Sequence, residues 1–122
     1  MAKNFLVDSR DVRFTLFEML EVDKLGAKFP RYADFDRDVF EEILTLAERI
    51  GVDKMYPANA EGDKTSCKYN PDTKEVTIPE CYREPIKAYY ESGFITLMEN
   101  AEIGGMGMPV SIYEACNEIF MA

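Results

Sequence analysis

The stretch that decides the fold is Asp36-Arg37-Asp38-Val39-Phe40-Glu41-Glu42-Ile43-Leu44-Thr45-Leu46-Ala47-Glu48-Arg49-Ile50. Its apolar residues recur with the 3.6-residue period of an α-helix, without a break, and this is the strongest secondary-structure signal in the chain. Asp34 or Asp36 can cap the helix, and the four charged residues from Glu41 to Arg49 are predicted to lie largely on its other faces. Gly51 interrupts the period, and Pro57 predicts a kink or an end of the helix.

Three further helices are predicted around this one. The first runs from about residue 9 to residue 22, with Asp8 or Ser9 as its cap. The third begins at Pro79 and reaches about Ser92, and the fourth begins at Pro109. Because apolar residues lie on two sides of the fourth helix, we expect it to be deeply buried.

Residues 62–80 are richer in turn-forming residues than the rest of the chain. Thr65 to Tyr69 and Glu75 to Ile78 are predicted to form two short strands around the turn at residues 70–73. Since an isolated hairpin is marginally stable in water, we expect it to pack on the helices. The predicted fold is therefore mainly α, with about four main helices and a short hairpin or loop insertion.

Length and composition indicate a single folded domain over residues 1–122. The mass of 14.0 kDa suits one hydrophobic core. The chain stops at Ala122 within an apolar helical pattern that has no C-terminal cap. We therefore expect the chain to be a truncated part of a longer protein.

Charge and residue usage exclude several function classes. The net charge of −9 disfavours nucleic acid and anionic membranes as partners. The absence of histidine excludes Ser-His and Cys-His catalysis within this chain. Three widely spaced cysteines, with no membrane span and no export signal, predict a cytoplasmic protein without a disulfide framework.

No residue stands out as catalytic, metal-binding or cofactor-binding. Gly104-Gly105-Met106-Gly107 lacks the lysine and hydroxyl residue of a phosphate loop, so a tight structural turn is the favoured interpretation. The carboxylate groups at Glu41-Glu42, Glu99 and Glu102 do not form a calcium loop and are typical of solvated faces. Cys116 is predicted to lie in the core, and Cys81 has only a mildly cationic setting. The tyrosines Tyr82, Tyr89 and Tyr90 are interpreted as packing residues.

Four segments together resemble the N-terminal part of an acyl-CoA dehydrogenase, and the match covers nearly the whole chain. They are Ser9 to Phe14, Tyr56-Pro57-Ala58-Asn59, Gly93 to Leu97 and Glu102-Ile103-Gly104-Gly105-Met106-Gly107-Met108-Pro109. The last is the most specific, with Ile103 in place of an aromatic residue and Met108 in place of leucine. The Asp-Val-Arg-Phe start is similar to the branch that includes methylmercaptopropionyl-CoA dehydrogenases.

The resemblance implies a three-part FAD enzyme of fatty acid metabolism, with a helical N-terminal domain, a middle β-domain and a C-terminal helical bundle. Its glutamate base and its flavin site belong to the other parts, so the isolated chain is expected to bind no FAD and to be inactive. Acyl-CoA and an electron-acceptor flavoprotein are the partners implied for the parent enzyme. The residues expected to approach the acyl pocket as part of its wall are Gly104, Gly105, Met106, Gly107, Met108, Pro109, Phe120 and Met121.

Two further expectations concern association. We expect a homo-oligomer, formed through Val110 to Met121 with help from Phe94 to Met98, because the partner domains are missing. The alternative to the enzyme domain is a free-standing small helical interaction module whose apolar last helix docks a partner.

Overall fold

The computed structural model describes residues 3–122, and helices account for most of them. The α-helices are Ser9–Arg13 (α1), Leu25–Lys28 (α2), Arg37–Ile50 (α3), Tyr56–Thr65 (α4), Arg83–Glu91 (α5) and Val110–Met121 (α6). Two π-helical stretches extend this set, Phe14–Met19 after α1 and Gly51–Met55 between α3 and α4. Short 3-10 turns occur at Val22–Lys24, Pro30–Tyr32, Glu80–Tyr82, Phe94–Thr96 and Ala101–Ile103. The predicted mainly-α fold is confirmed.

The helix predicted from the deciding stretch is longer than expected. Asp36 caps it, since its carboxylate accepts the Val39 N–H at 3.0 Å. We predicted a kink or an end of the helix at Pro57, and the helix does not end there. The chain instead continues through the π-helical stretch Gly51–Met55 into α4, where Pro57 lies in the first turn, the position at which helices best tolerate proline.

The core lies mainly between α3 and α6. Leu44, Ala47 and Ile112 have no exposed surface at all. Phe94 and Leu97, from the apolar segment before the glycine loop, are also buried there. The rest of the core is Leu16, Phe17, Val22, Phe40, Ile43, Ile50, Met108, Ala115, Cys116 and Ile119.

One side of α6 is buried within the chain. Ile112, Cys116 and Ile119 face the chain's own core and are at most 1% exposed. Only Val110 and Met121, at the two ends of the helix, are strongly exposed apolar residues on it. α3 covers the side of the helix that carries Ile112, Cys116 and Ile119, and association of the chain through Val110 to Met121 stays a prediction.

The hairpin is shorter and more exposed than predicted. Strands Lys68–Tyr69 (β1) and Val76–Thr77 (β2) pair antiparallel, with Tyr69 opposite Val76. The first predicted strand loses its start to α4, which reaches Thr65. All residues from 63 to 78 are exposed, so the prediction that the hairpin packs on the helices is wrong.

Candidate functional site

An apolar groove of about 380 Å³ opens where α6 ends, against the π-helical stretch, the first turns of α4 and the start of α5. Among residues 3–122, no charged side chain lines it. Asn59 and Tyr82 contribute uncharged polar side chains to its lining. The full lining is Leu6, Gly51, Met55, Tyr56, Ala58, Asn59, Tyr82, Pro85, Ile86, Ile119, Phe120, Met121 and Ala122.

Two glycines allow the walls of this groove to come together. A Cβ on Gly51 would lie 2.9 Å from Ile119 Cγ2, so the glycine lets the π-helical stretch approach α6. A Cβ on Gly62 would lie 2.0 Å from Tyr82 Cζ. The Tyr82 ring therefore lies directly on the backbone of α4, and its place in the groove wall depends on the missing side chain at Gly62.

Aromatic contacts hold the far wall and the rim. Phe120 packs edge-on against Phe94 at 4.9 Å and against Tyr89 at 5.3 Å, both measured between ring centroids. Phe5 and Tyr56 meet edge to face at 4.7 Å beside the groove. The packing interpretation of the aromatic residues is confirmed for Tyr89, and burial raises the pKa of its hydroxyl.

The glycine loop before α6 is a closed structural turn. Gly104 and Gly107 have φ values of +87° and +71°, which favour glycine. A Cβ on Gly105 would lie 2.1 Å from the Glu99 carbonyl oxygen. Five successive backbone N–H groups are already used, since Gly104, Gly105, Met106, Gly107 and Met108 donate to the carbonyls of Ala101, Asn100, Thr96, Glu99 and Leu97. These residues therefore do not fit the diphosphate of FAD, which needs free N–H donors, and the structural interpretation is confirmed.

The structure separates the eight residues expected to approach an acyl pocket. Phe120 and Met121 line the groove, whereas Gly104 to Pro109 do not. The loop lies at the other end of α6, about 16 Å away at 1.5 Å per residue. Met108 is moreover buried in the core. Of these eight residues, Phe120 and Met121 line the groove at the end of α6 and the other six do not.

Sequence reasoning missed the contribution of Tyr82 and Gly62 to the groove. Gly62 carried no signal of this contribution, because it falls in the turn-rich segment 62–80 and the helix that contains it was not predicted. What the sequence does not indicate is which side chain occupies the space, since Tyr82 lies twenty residues further along the chain.

An arginine clasp joins α1 to α3. Arg13 Nε lies 2.7 Å from Glu41 Oε2, and its Nη1 lies 2.8 Å from Glu48 Oε1. Burial alone would lower the pKa of Arg13, but the hydrogen bonds to Glu48 and Glu41 outweigh it and raise that pKa. Glu48 departs from the prediction that the charged residues of this helix lie largely away from its apolar face, since it is buried at 5% exposure. Glu41 and Glu48 thus anchor a helix.

Cys116 is a buried thiol of the core. Burial, with a smaller effect from the nearby Glu48 charge, raises the pKa of Cys116 to about 12, as expected of a core thiol. Within the described residues, no three histidine, cysteine or acidic side chains lie close enough together to hold a metal ion. None of the helices in residues 3–122 is both long and apolar enough to cross a membrane.

No protein-family model matches the chain. It is 32% identical, over 110 residues and 89% of its length, to a broad-specificity linear acyl-CoA dehydrogenase of Mycobacterium tuberculosis. Two butyryl-CoA dehydrogenases of Syntrophomonas wolfei match at 30% over 75% of the chain and at 27% over 90% of it. The chain spans only 18%, 15% and 18% of these three relatives.

These matches confirm the predicted resemblance: the chain is homologous to one segment of acyl-CoA dehydrogenases. The matched part of this chain contains the helices, the groove and the glycine loop described above.

Proposed function

We propose that the chain is the N-terminal helical domain of an FAD-dependent acyl-CoA dehydrogenase. The observation that supports this most is the extent of the match, which covers 89% of the chain but 18% of the Mycobacterium tuberculosis enzyme. A helical unit with its own core and no reactive centre of its own is the kind of part that such an enzyme would contribute to a shared site. The reaction proposed for the longer protein is the α,β-dehydrogenation of an acyl-CoA thioester.

The proposed contribution of this domain is an apolar wall. A groove without charged side chains suits a hydrocarbon chain, which gains from losing its contact with water and offers no partner to a charge. Phe120 and Met121 are the residues we assign to this wall. Gly104 to Pro109 hold the start of α6 and would take part only if the remaining domains cover the loop.

The chemistry is proposed to lie outside this chain. The resemblance implies that a glutamate of the C-terminal bundle takes the α-proton, and FAD bound by the other domains supplies the hydride acceptor. Acyl-CoA and an electron-acceptor flavoprotein are the partners proposed for the whole enzyme. The segment described here supplies contacts to the middle and C-terminal domains.

The first test is the coding sequence that surrounds this segment. A continuous reading frame for a middle β-domain and a C-terminal helical bundle supports the proposal. A gene that encodes these residues alone refutes it and favours the alternative, a free-standing interaction module. Titration of the purified chain with FAD, followed by absorbance, provides a second test, and sub-micromolar stoichiometric binding would contradict the proposed division of labour.

The role of the groove can be tested in the longer enzyme. Met121→Ala removes a side chain that is 79% exposed in this segment, so it should not unfold the domain. We expect it to raise KM for acyl-CoA and to shift the chain-length preference. Val76→Ala is the matched control, since it shortens an exposed residue of the hairpin that is 60% exposed. Equal kinetics for the two variants would show that Met121 is not part of the wall of the acyl pocket.

A further inference from the structure

A second groove, of about 490 Å³, lies between α1 with its π-helical extension and α6. Its floor is apolar, with Leu16 and Ala115 buried and Leu20 54% exposed. Its size is typical of ligand sites. It is separate from the charge-free groove at the end of α6, with which it shares only Leu6. We call it the acid-rimmed groove.

Carboxylates stand on both walls of the acid-rimmed groove. Asp8 and Asp11 belong to the start of α1, and Glu114 and Glu118 belong to α6. All four are exposed, and within residues 3–122 none of them takes part in an ion pair. Asp8 also caps α1, since its side chain accepts the backbone N–H groups of Arg10 and Asp11. No lysine or arginine lines the groove to balance these charges.

The positions of these carboxylates indicate which kind of cationic ligand the groove would bind. The carboxylates do not converge on a point, since no group of three acids in the described chain is close enough to hold a metal ion. They instead flank an apolar floor from two sides. An occupant that satisfies both features carries separated positive charges along its edges and apolar side chains along its centre.

We propose that the acid-rimmed groove is a docking site for a basic amphipathic helix of a partner protein. Two helices form its walls, and a third helix laid along them can place apolar residues at i, i+3 and i+4 on the floor. Its lysines or arginines then face Asp11, Glu114 and Glu118. A second copy of this chain is a poor occupant, because it brings a net charge of −9 to a negative surface. Anionic membranes are repelled for the same reason.

The test uses the 122-residue chain and a synthetic helical peptide of leucine and lysine, with leucines at i, i+3 and i+4. A peptide of the same composition, with its leucines spread around the helix, is the control probe. Fluorescence anisotropy should detect binding of the first peptide and at least about tenfold weaker binding of the second, since only the first can use the apolar floor. Equal binding by the two peptides would overturn the proposal, as would no binding by the amphipathic one.

Variants separate the groove from general charge attraction. The triple variant Asp11→Asn, Glu114→Gln, Glu118→Gln should weaken binding of the amphipathic peptide by about tenfold or more. Asp63→Asn, Asp72→Asn, Glu75→Gln makes the same charge change at and near the exposed hairpin and should weaken it by less than about twofold. Circular dichroism checks that both variants fold. Equal weakening by the two sets would overturn the proposal.

The apolar floor is tested without any change of charge. Leu20→Ser alters an exposed floor residue and should weaken the amphipathic peptide while leaving the control peptide unchanged. Spermine tests a purely ionic occupant: if it displaces the amphipathic peptide completely at equal concentration, the site is one for small polyamines and the proposal is wrong. None of these outcomes depends on whether the longer protein is an acyl-CoA dehydrogenase.

Discussion

Replacing Gly62 by alanine sets two effects of opposite sign against each other. Gly62 lies inside α4, where alanine is intrinsically favoured over glycine by about 1 kcal/mol. The added Cβ would, however, lie 2.0, 2.2 and 2.3 Å from Cζ, the hydroxyl oxygen and Cε1 of Tyr82. Relieving such overlap by moving a packed side chain costs about 1–3 kcal/mol. We therefore expect Gly62→Ala to leave stability unchanged or lower it, by about 0–2 kcal/mol in total.

A double-mutant cycle isolates the contact. In a Tyr82→Ala background the obstacle is gone, and Gly62→Ala should stabilise the protein by about 1 kcal/mol through helix propensity alone. The coupling energy should therefore be about 1–3 kcal/mol. Urea unfolding followed by far-ultraviolet circular dichroism is the suitable assay, because removing a tyrosine alters fluorescence. Ala60→Gly, at an exposed position of the same helix, reports the propensity term separately. If Gly62→Ala stabilises both backgrounds equally, the Tyr82 ring does not lie on Gly62 and our account of the groove wall fails.

Three further predictions concern the core, the clasp and the buried thiol. Leu44→Ala should lower the free energy of unfolding by about 2–5 kcal/mol and Glu42→Ala by less than about 0.5, so coincident urea midpoints would contradict the assigned buried face. Arg13→Met leaves the buried Glu48 without its partner and should lower the free energy of unfolding in urea by about 3–5 kcal/mol. Arg10→Met, whose pair with Glu18 is exposed, should lower it by less than about 1 kcal/mol. Equal losses would show that the contact of Arg13 with Glu48 does not stabilise the fold. Because the pKa of Cys116 is raised from 9.0 to about 12, the folded protein keeps a proton that the unfolded chain releases. Its contribution is complete below pH 9 and is lost toward pH 12, by at most about 1.4 kcal/mol per pH unit. Cys116→Ala should flatten that slope in alkaline urea titrations, and an unchanged slope would show that Cys116 does not cause it.

The helices were predictable where a nearby residue or a short local pattern determines the backbone conformation. Asp36 acts as the cap, and the apolar period from Val39 to Ile50 is the buried face of α3. The glycine loop was recognised as a turn because it lacks the residues that phosphate binding needs. Each of these depends on neighbours within a few positions, which is the range over which sequence patterns carry information.

The features that were mispredicted depend on contacts between distant segments. Glu48 looks like a solvated charge until Arg13, thirty-five positions away, is placed beside it. The two apolar stripes of α6 do not show which of them packs inside the chain, and the structure places Ile112, Cys116 and Ile119 against α3. The π-helical stretch Gly51–Met55 before Pro57 was not predicted from any local pattern.

The two grooves on α6 differ in the charge of the ligand that they admit. A CoA thioester carries phosphate groups, and the acid-rimmed groove, with four carboxylates and no balancing cation in its lining, repels them. Within the described residues, the groove at the end of α6 has no acidic side chain in its lining to repel the phosphates. If the segment serves an acyl-CoA enzyme, the thioester must therefore approach from the α4 and α5 side, which leaves the α1 side for a cationic partner. The two proposals therefore assign ligands of opposite charge to the two sides of α6. Free CoA, titrated onto the chain without the lysine peptide that it would itself bind, should not perturb the nuclear magnetic resonance signals of Asp11, Glu114 and Glu118, and a perturbation there would show that this charge separation is wrong.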